Sequence, residues 1–398
     1  MRYPEVCIVS RREQSFVGSL LGLAVGDVLG CPLEGMHPDT IADTFGVVDD
    51  LVVLPEEKIV DWYFWRLPGA HSDDTQQALT IAGVLAEKGR LDTDEVMARW
   101  RQMAEVSAAP AAANGDKRRA KFRTFGCHRG TGAGFRQRVR TPGVIKPNWG
   151  NGAAMRVAPV GLLCAGDSSR LIRTAVENAL MTHGHPHAVA ASIAVASTVG
   201  CMIEAPQKGA EEGLQHVICE SNQGEQLVRE EYLSSIHETA RGAIGEFSQM
   251  LHSLSDWLTM PLPEALATIG ARGRSVLPLP ADAPVFATQS ASLMSVPTAL
   301  LVALRNLDDF PASIVESINL GGDTDTIGAI VGAILGARLG KTSIPASWVQ
   351  SVLAHQQIEA RGVYLATGQR PADFVDQLTF ESEISRREME TRQRLRSR

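Results

Sequence analysis

Residues 321–340 read GGDTDTIGAIVGAILGARLG, and the spacing of their glycines decides the fold. Gly328, Gly332, Gly336 and Gly340 recur every fourth residue among alanines and aliphatic side chains. Near the other end, residues 16–30, FVGSLLGLAVGDVLG, repeat the device with Gly18, Gly22, Gly26 and Gly30. There Val17, Leu20, Leu21, Ala24 and Val28 fall at helical spacing. A glycine inside a helix costs about 1 kcal/mol relative to alanine, so two whole rows need compensation. A ridge of glycines four apart lets a neighbouring backbone approach closely. The two rows are therefore expected to pack tightly, and the two ends of the chain to belong to one domain. In lipid such rows mark dimer faces, but these segments are short with charge nearby, and a packed core is the better reading.

Working outward, helical periodicity continues at Thr75–Gly89, Leu171–Leu180, Ala188–Ile203 and Gln226–Leu251. Sustained period-2 alternation and strand–helix alternation are both missing from the sequence, and aromatics make up only 5% of it. The expectation is an all-α fold: a polar lead-in over residues 1–15, one helical domain over 16–380 and a charged tail over 381–398. With 44% hydrophobic and 21% charged residues the composition is globular. A net charge of -7 gives no general attraction to nucleic acid or anionic membranes. The apolar runs read as too short, or too interrupted by charge, to span a bilayer. The six cysteines lack any C-x-x-C pair, which suits reduced thiols in a cytoplasmic protein. Arg11-Arg12 ahead of an apolar stretch resembles a twin-arginine signal, but Asp27 interrupts the stretch and no A-x-A site follows. Residues 117–146 hold ten basic side chains and no acidic one. They read as a loop-rich insertion, either a solvated loop or an anion-facing rim beside a pocket.

Two clusters carry the chemistry. His71-Ser72-Asp73-Asp74-Thr75 runs into one apolar helix, and Gly321-Gly322-Asp323-Thr324-Asp325-Thr326 runs into the second glycine row. Either alone reads as a helix cap, because Asp, Ser and Thr satisfy first-turn N–H groups and oppose the dipole. Together they change the reading. Carboxylates and hydroxyls are what hard divalent cations bind, and four carboxylates meeting without cations repel one another. Gly150-Asn151-Gly152-Ala153-Ala154-Met155-Arg156 is a glycine-bracketed turn entering a helix, suited to phosphate. Thr182-His183-Gly184-His185-Pro186-His187 alternates histidines, but its glycine and proline make a turn rather than a zinc helix.

The ordered set GSLLGLAVGDVLGCPLEG, SDDT, GNGAAMR, THGHP and GGDTDTIGAIVGAILGARLG resembles the ADP-ribosylglycohydrolase family, from about Phe16 to Trp348. The resemblance implies a single orthogonal helical bundle holding two divalent cations, Mg²⁺ or Mn²⁺. It implies that Ser72, Asp73, Asp74, Asp323, Asp325 and Thr326 are metal ligands, and that Glu34 closes over the metals when substrate is absent. Asn151, Gly152, Met155 and Arg156 would bind the diphosphate, and His183 would line the cleft. Ser72 stands where the family usually has threonine. The implied reaction is hydrolytic removal of ADP-ribose from a protein or small molecule, arginine-linked favoured, with Asp73, Asp74 or Glu34 handling the proton. The alternative is a binding or immunity protein on the same fold that neutralises an ADP-ribosyltransferase toxin. A nucleic-acid-directed enzyme would rest on the basic segment alone.

Overall fold

A computed structural model describes residues 10–54, 67–106, 125–141, 143, 145–279 and 285–396. Among these residues the chain is all-α, with isolated bridges at Phe125–His128 and Gly150–Ala291 and no strand. The helices that surround the site are α1 (Arg11–Gly30), α2 (Asp73–Lys88), α3 (Ser168–Leu180), α4 (Pro186–Glu204), α5 (Ser292–Arg305), α6 (Thr324–Leu339), α7 (His355–Thr367) and α8 (Gln377–Arg396).

α1 and α6 form the central pair. They run antiparallel: Gly18 faces Gly336, Gly22 faces Gly332 and Gly26 faces Gly328. A Cβ built on Gly26 would lie 1.9 Å from the Gly328 carbonyl oxygen, and one on Gly332 would lie 2.0 Å from that of Gly22. Backbone thus packs on backbone along the whole row. α7 closes on the next face of α1, where a Cβ on Gly362 would meet Val17 Cα at 2.7 Å. Glycine is needed here for proximity, and both helices remain regular and buried.

α1 begins at Arg11, earlier than its apolar pattern, because Ser10 caps it by accepting the Glu13 N–H. Residues 1–9 of the lead-in lie outside the described residues. The expected helix over Gln226–Leu251 is broken. It passes from a helix ending at Leu227 through a π turn (Val228–Tyr232) and short 3₁₀ turns to a new helix at Glu246–Trp257. Gly245 takes a φ of 109°, which ends one helix direction and starts another, and the His237 N–H is drawn to the Gly184 carbonyl. The bilayer reading also needs correction. Arg11–Leu33 and Pro186–Glu204 are long and apolar enough to cross a membrane, yet 94% of each apolar window is buried inside this fold.

Candidate metal centre and active site

The SDDT turn is built from both sides. Ser72 caps α2 by accepting the Asp74 N–H, and its hydroxyl donates to Asp74 Oδ2 at 3.0 Å. Asp27, the charge that interrupts α1, is fully buried beneath it. Its carboxylate accepts the backbone N–H groups of Ser72 (2.9 Å) and Thr75 (3.1 Å) and the Thr75 hydroxyl (2.6 Å). That satisfies orphan donors at the start of α2 and ties it to α1.

The GGDTDT turn reaches the same point from α6. Gly321 and Gly322 have φ of 69° and 75°, and a Cβ on Gly322 would strike Thr288 at 2.3 Å. Gly35 donates to the Gly322 carbonyl and Gly322 donates to that of Met36, which brings Glu34 beside the turn. Carboxylate oxygens of Glu34, Asp323 and Asp325 lie within 4.8 Å of one another, and so do ligand atoms of Asp27, Cys31 and Asp325. Asp74 interacts with Asp27, Asp73 and Asp323, and Thr326 gives it a hydrogen bond. Acidic groups separated by some 250 positions in the chain therefore share one buried cluster.

Burial, then the neighbouring carboxylates, raises Asp74 and Asp325 well above the usual range; burial also raises Asp323. Asp74 Oδ1 is buried with no hydrogen-bond partner. A dense set of hard oxygen donors with an orphaned carboxylate oxygen fits divalent cations such as Mg²⁺ or Mn²⁺, which would neutralise charge that folding otherwise leaves uncompensated.

The GNG turn abuts this cluster. Asn151 Nδ2 donates to Asp323 Oδ2 at 2.7 Å and to the Ser295 hydroxyl at 3.0 Å. Gly152 leaves room for His183, since a Cβ there would sit 3.1 Å from the imidazole Cε1. Met155 is buried alongside. Arg156 is placed differently from its expected diphosphate role. Its guanidinium is fully buried and donates to Gln77 Oε1 (2.7 Å), Asn178 and the Thr182 hydroxyl (2.7 Å). Gln77 Nε2 in turn donates to Asp73 Oδ2 at 2.9 Å, so Arg156 acts on Asp73 through Gln77. The Thr182 hydroxyl accepts from Arg156 and shares a hydrogen bond of 2.7 Å with His183 Nδ1. Burial and Arg156 push His183 down to about 3, keeping it neutral.

A second network, which no local sequence pattern announces, lies behind the SDDT turn. Glu381 of α8 is fully buried and accepts from His71 Nε2 (2.9 Å), Gln76 Nε2 (2.8 Å) and Arg129 (2.5 Å). Arg129 Nε also donates to the His71 carbonyl at 2.8 Å. The His71–Ser72 peptide is thus clamped at its oxygen by Arg129 and at its nitrogen by Asp27. Arg129 therefore does not belong to an anion-facing rim. Lys117, Arg118, Arg119, Lys121 and Arg123 lie outside the described residues. Arg136 and Arg138 stand on a short helix, Ala133–Arg140, in place of the expected loop. Burial opposes ionisation of Glu381, but Arg129 and His71 more than offset it and hold the carboxyl well below its ordinary range. Glu381→Gln is expected to destabilise the protein by about 3–5 kcal/mol in denaturant melts, because it strands a buried guanidinium. A lowered carboxyl contributes stability above its unfolded pKa and loses it as pH falls through the folded one. The gap between parent and variant should thus close only in strong acid; a gap that is small at neutral pH would contradict the clamp.

A helical scaffold whose opposite ends deliver acidic caps to one buried point beside a glycine turn defines the candidate site. The ADP-ribosylglycohydrolase family model matches residues 9–376, and the chain belongs to that family. It is 27% identical over 340 residues to the ADP-ribosyl-[dinitrogen reductase] glycohydrolase of Rhodospirillum rubrum, covering 84% of this chain and 89% of that one. It is 23% identical over 367 residues to an ADP-ribosylarginine hydrolase of Serratia proteamaculans, covering 88% and 79%. A solved ADP-ribosylglycohydrolase-related protein complex shares the fold, with a TM-score of 0.55, 24% identity and coverage of 89% and 98%.

Proposed function

We propose that this protein is a metal-dependent hydrolase that releases ADP-ribose, preferentially from arginine, by cleaving the bond at C1 of the distal ribose. One observation carries the reading: the Asp73–Asp74 pair and the Asp323–Asp325 pair meet in a single buried cluster. Ser72, Asp73, Asp74, Asp323, Asp325 and Thr326 would hold two divalent cations, Mg²⁺ or Mn²⁺. When bound, these would orient the ribose hydroxyls and lower the pKa of the attacking water.

The chain's own residues do the rest. Asn151, fixed on Asp323, and Gly152 place the glycine turn against the diphosphate. Met155 lies buried at its end. His183 presents its Cε1–Nε2 edge on that side, while Arg156 and Gln77 hold Asp73 in place. Glycoside cleavage passes through an oxocarbenium-like transition state, and an acidic group must take a proton from water or give one to the leaving group. Asp73, Asp74 and Glu34 are the candidates, and Glu34 is the most exposed of them. The substrate would be an ADP-ribosylated protein or small molecule in the cytoplasm. The arginine preference rests on the Serratia relative, and the complete carboxylate set favours an enzyme over a toxin-binding protein.

The test is release of ADP-ribose from arginine-, serine- and nucleobase-linked substrates with and without EDTA. Release from the arginine linkage, lost in EDTA and restored by Mg²⁺ or Mn²⁺, is expected. Undiminished release in EDTA, or none from any linkage, would remove the proposal.

A further inference from the structure

The inner end of the carboxylate cluster holds one residue that hard-cation chemistry does not use. Cys31 follows α1 directly, 2% exposed, and its Sγ–H donates to Asp27 Oδ1 at 3.2 Å. Sγ, a carboxylate oxygen of Asp27 and one of Asp325 lie within 4.8 Å of one another. Asp74, 2% exposed, interacts with both Asp27 and Asp325 and keeps Oδ1 unpartnered in this cluster. Thiolate ligands favour Zn²⁺ and other soft cations, whereas oxygen sets favour Mg²⁺ and Mn²⁺. A tetrahedral zinc with Zn–S of about 2.3 Å and Zn–O of about 2.1 Å holds its sulfur and oxygen roughly 3.6 Å apart. The Cys31–Asp27 separation of 3.2 Å is somewhat shorter, so a bound cation would move the two atoms slightly apart.

We infer that Cys31, Asp27 and Asp325 form a soft-cation subsite that takes Zn²⁺ or Cd²⁺ and thereby inhibits the enzyme. On binding, the S–H bond gives way to a sulfur–metal bond, the proton leaves to water and nothing is oxidised. Asp325 is shared with the Glu34–Asp323 group, so a soft cation bound through Cys31 withdraws an oxygen ligand from the hard-cation site. The two occupancies compete. This inference rests on reading the cluster as a metal centre, and its test keeps the two apart.

The experiment uses EDTA-treated full-length protein carrying Cys7→Ser and Cys219→Ser, which remove the N-terminal thiol and the exposed one. Cd²⁺ is titrated while sulfur-to-cadmium charge-transfer absorbance is recorded, and Mn²⁺ binding is followed by electron paramagnetic resonance. One equivalent of Cd²⁺ is expected to develop the band and weaken Mn²⁺ binding at least tenfold. Cys31→Ser in this background is expected to abolish the band while still binding Mn²⁺; Cys31→Ala gives the same comparison should the serine variant fold poorly. A band that persists without Cys31, or no band in a background protein that binds Mn²⁺, overturns the inference. Failure of the background protein to bind Mn²⁺ at all would instead remove the metal-centre reading, and this inference with it.

Discussion

Asp74→Asn is expected to lower ADP-ribose release roughly a thousandfold while raising the melting temperature of the EDTA-treated protein. The loss follows from cation charge stabilisation worth several kcal/mol in such sites, where each 1.36 kcal/mol is tenfold in rate. The gain follows from the apo cluster. Asp74 is buried against Asp27, Asp73 and Asp323, so its ionised form is disfavoured by burial first and by those carboxylates next. Removing one charge at nearly constant shape relieves that repulsion, the usual trade between a site's function and its stability. The pH dependence has a definite sign. A carboxyl whose folded pKa is raised contributes stability that is complete below its unfolded pKa of about 4 and is lost as pH rises through the folded value. The metal-free parent should therefore gain stability on acidification, and Asp74→Asn should gain less. Activity within tenfold of the parent, or a lower melting temperature in EDTA, would sink this account.

Gly332→Ala should be among the most destabilising single-methyl additions available to the molecule. The new Cβ would lie 2.0 Å from the Gly22 carbonyl oxygen and 2.5 Å from its carbon, so the helices must separate. Overpacking a core typically costs about 1–3 kcal/mol, occasionally more, and a backbone-on-backbone contact belongs at the upper end. Gly22→Ala meets the reciprocal obstacle, with Gly332 oxygen at 2.2 Å. Once one methyl has parted the helices, the second finds room. The double variant should therefore cost clearly less than the two single changes added together. Strict additivity in urea melts would show that the contacts are independent and that this close packing is not what holds the pair.

How much of this was legible in the sequence depends on the range over which each signal acts. The glycine rows and the two acidic caps are local patterns, and both the central helix pair and the convergence of the carboxylates follow from them. Asp27 was visible only as a charge interrupting an apolar helix; such a residue must find donors, and the bare N–H groups of Ser72 and Thr75 are those donors. Arg129 and Glu381 were hidden because each sits in a charge-rich stretch whose plain reading is solvation. Their pairing spans 252 positions, and nothing near either residue announces it. Arg156 shows a different limit. A motif places an arginine beside a phosphate loop, but only packing decides whether its guanidinium faces the ligand or turns inward to Gln77 and Thr182. The restart of the helix at Glu246 had its sign in Gly245, outweighed by the helical periodicity on either side.

The antiparallel seating of α1 on α6 sets an order of events during synthesis. The first helix leaves the ribosome with a flat glycine face whose partner has yet to be translated, and contacts at so large a sequence separation form late. Until Leu339 emerges, α1 lacks the backbone face on which it packs in the finished fold. A chain truncated before Thr324 would be left with an exposed, closely packing face rather than a smaller working enzyme.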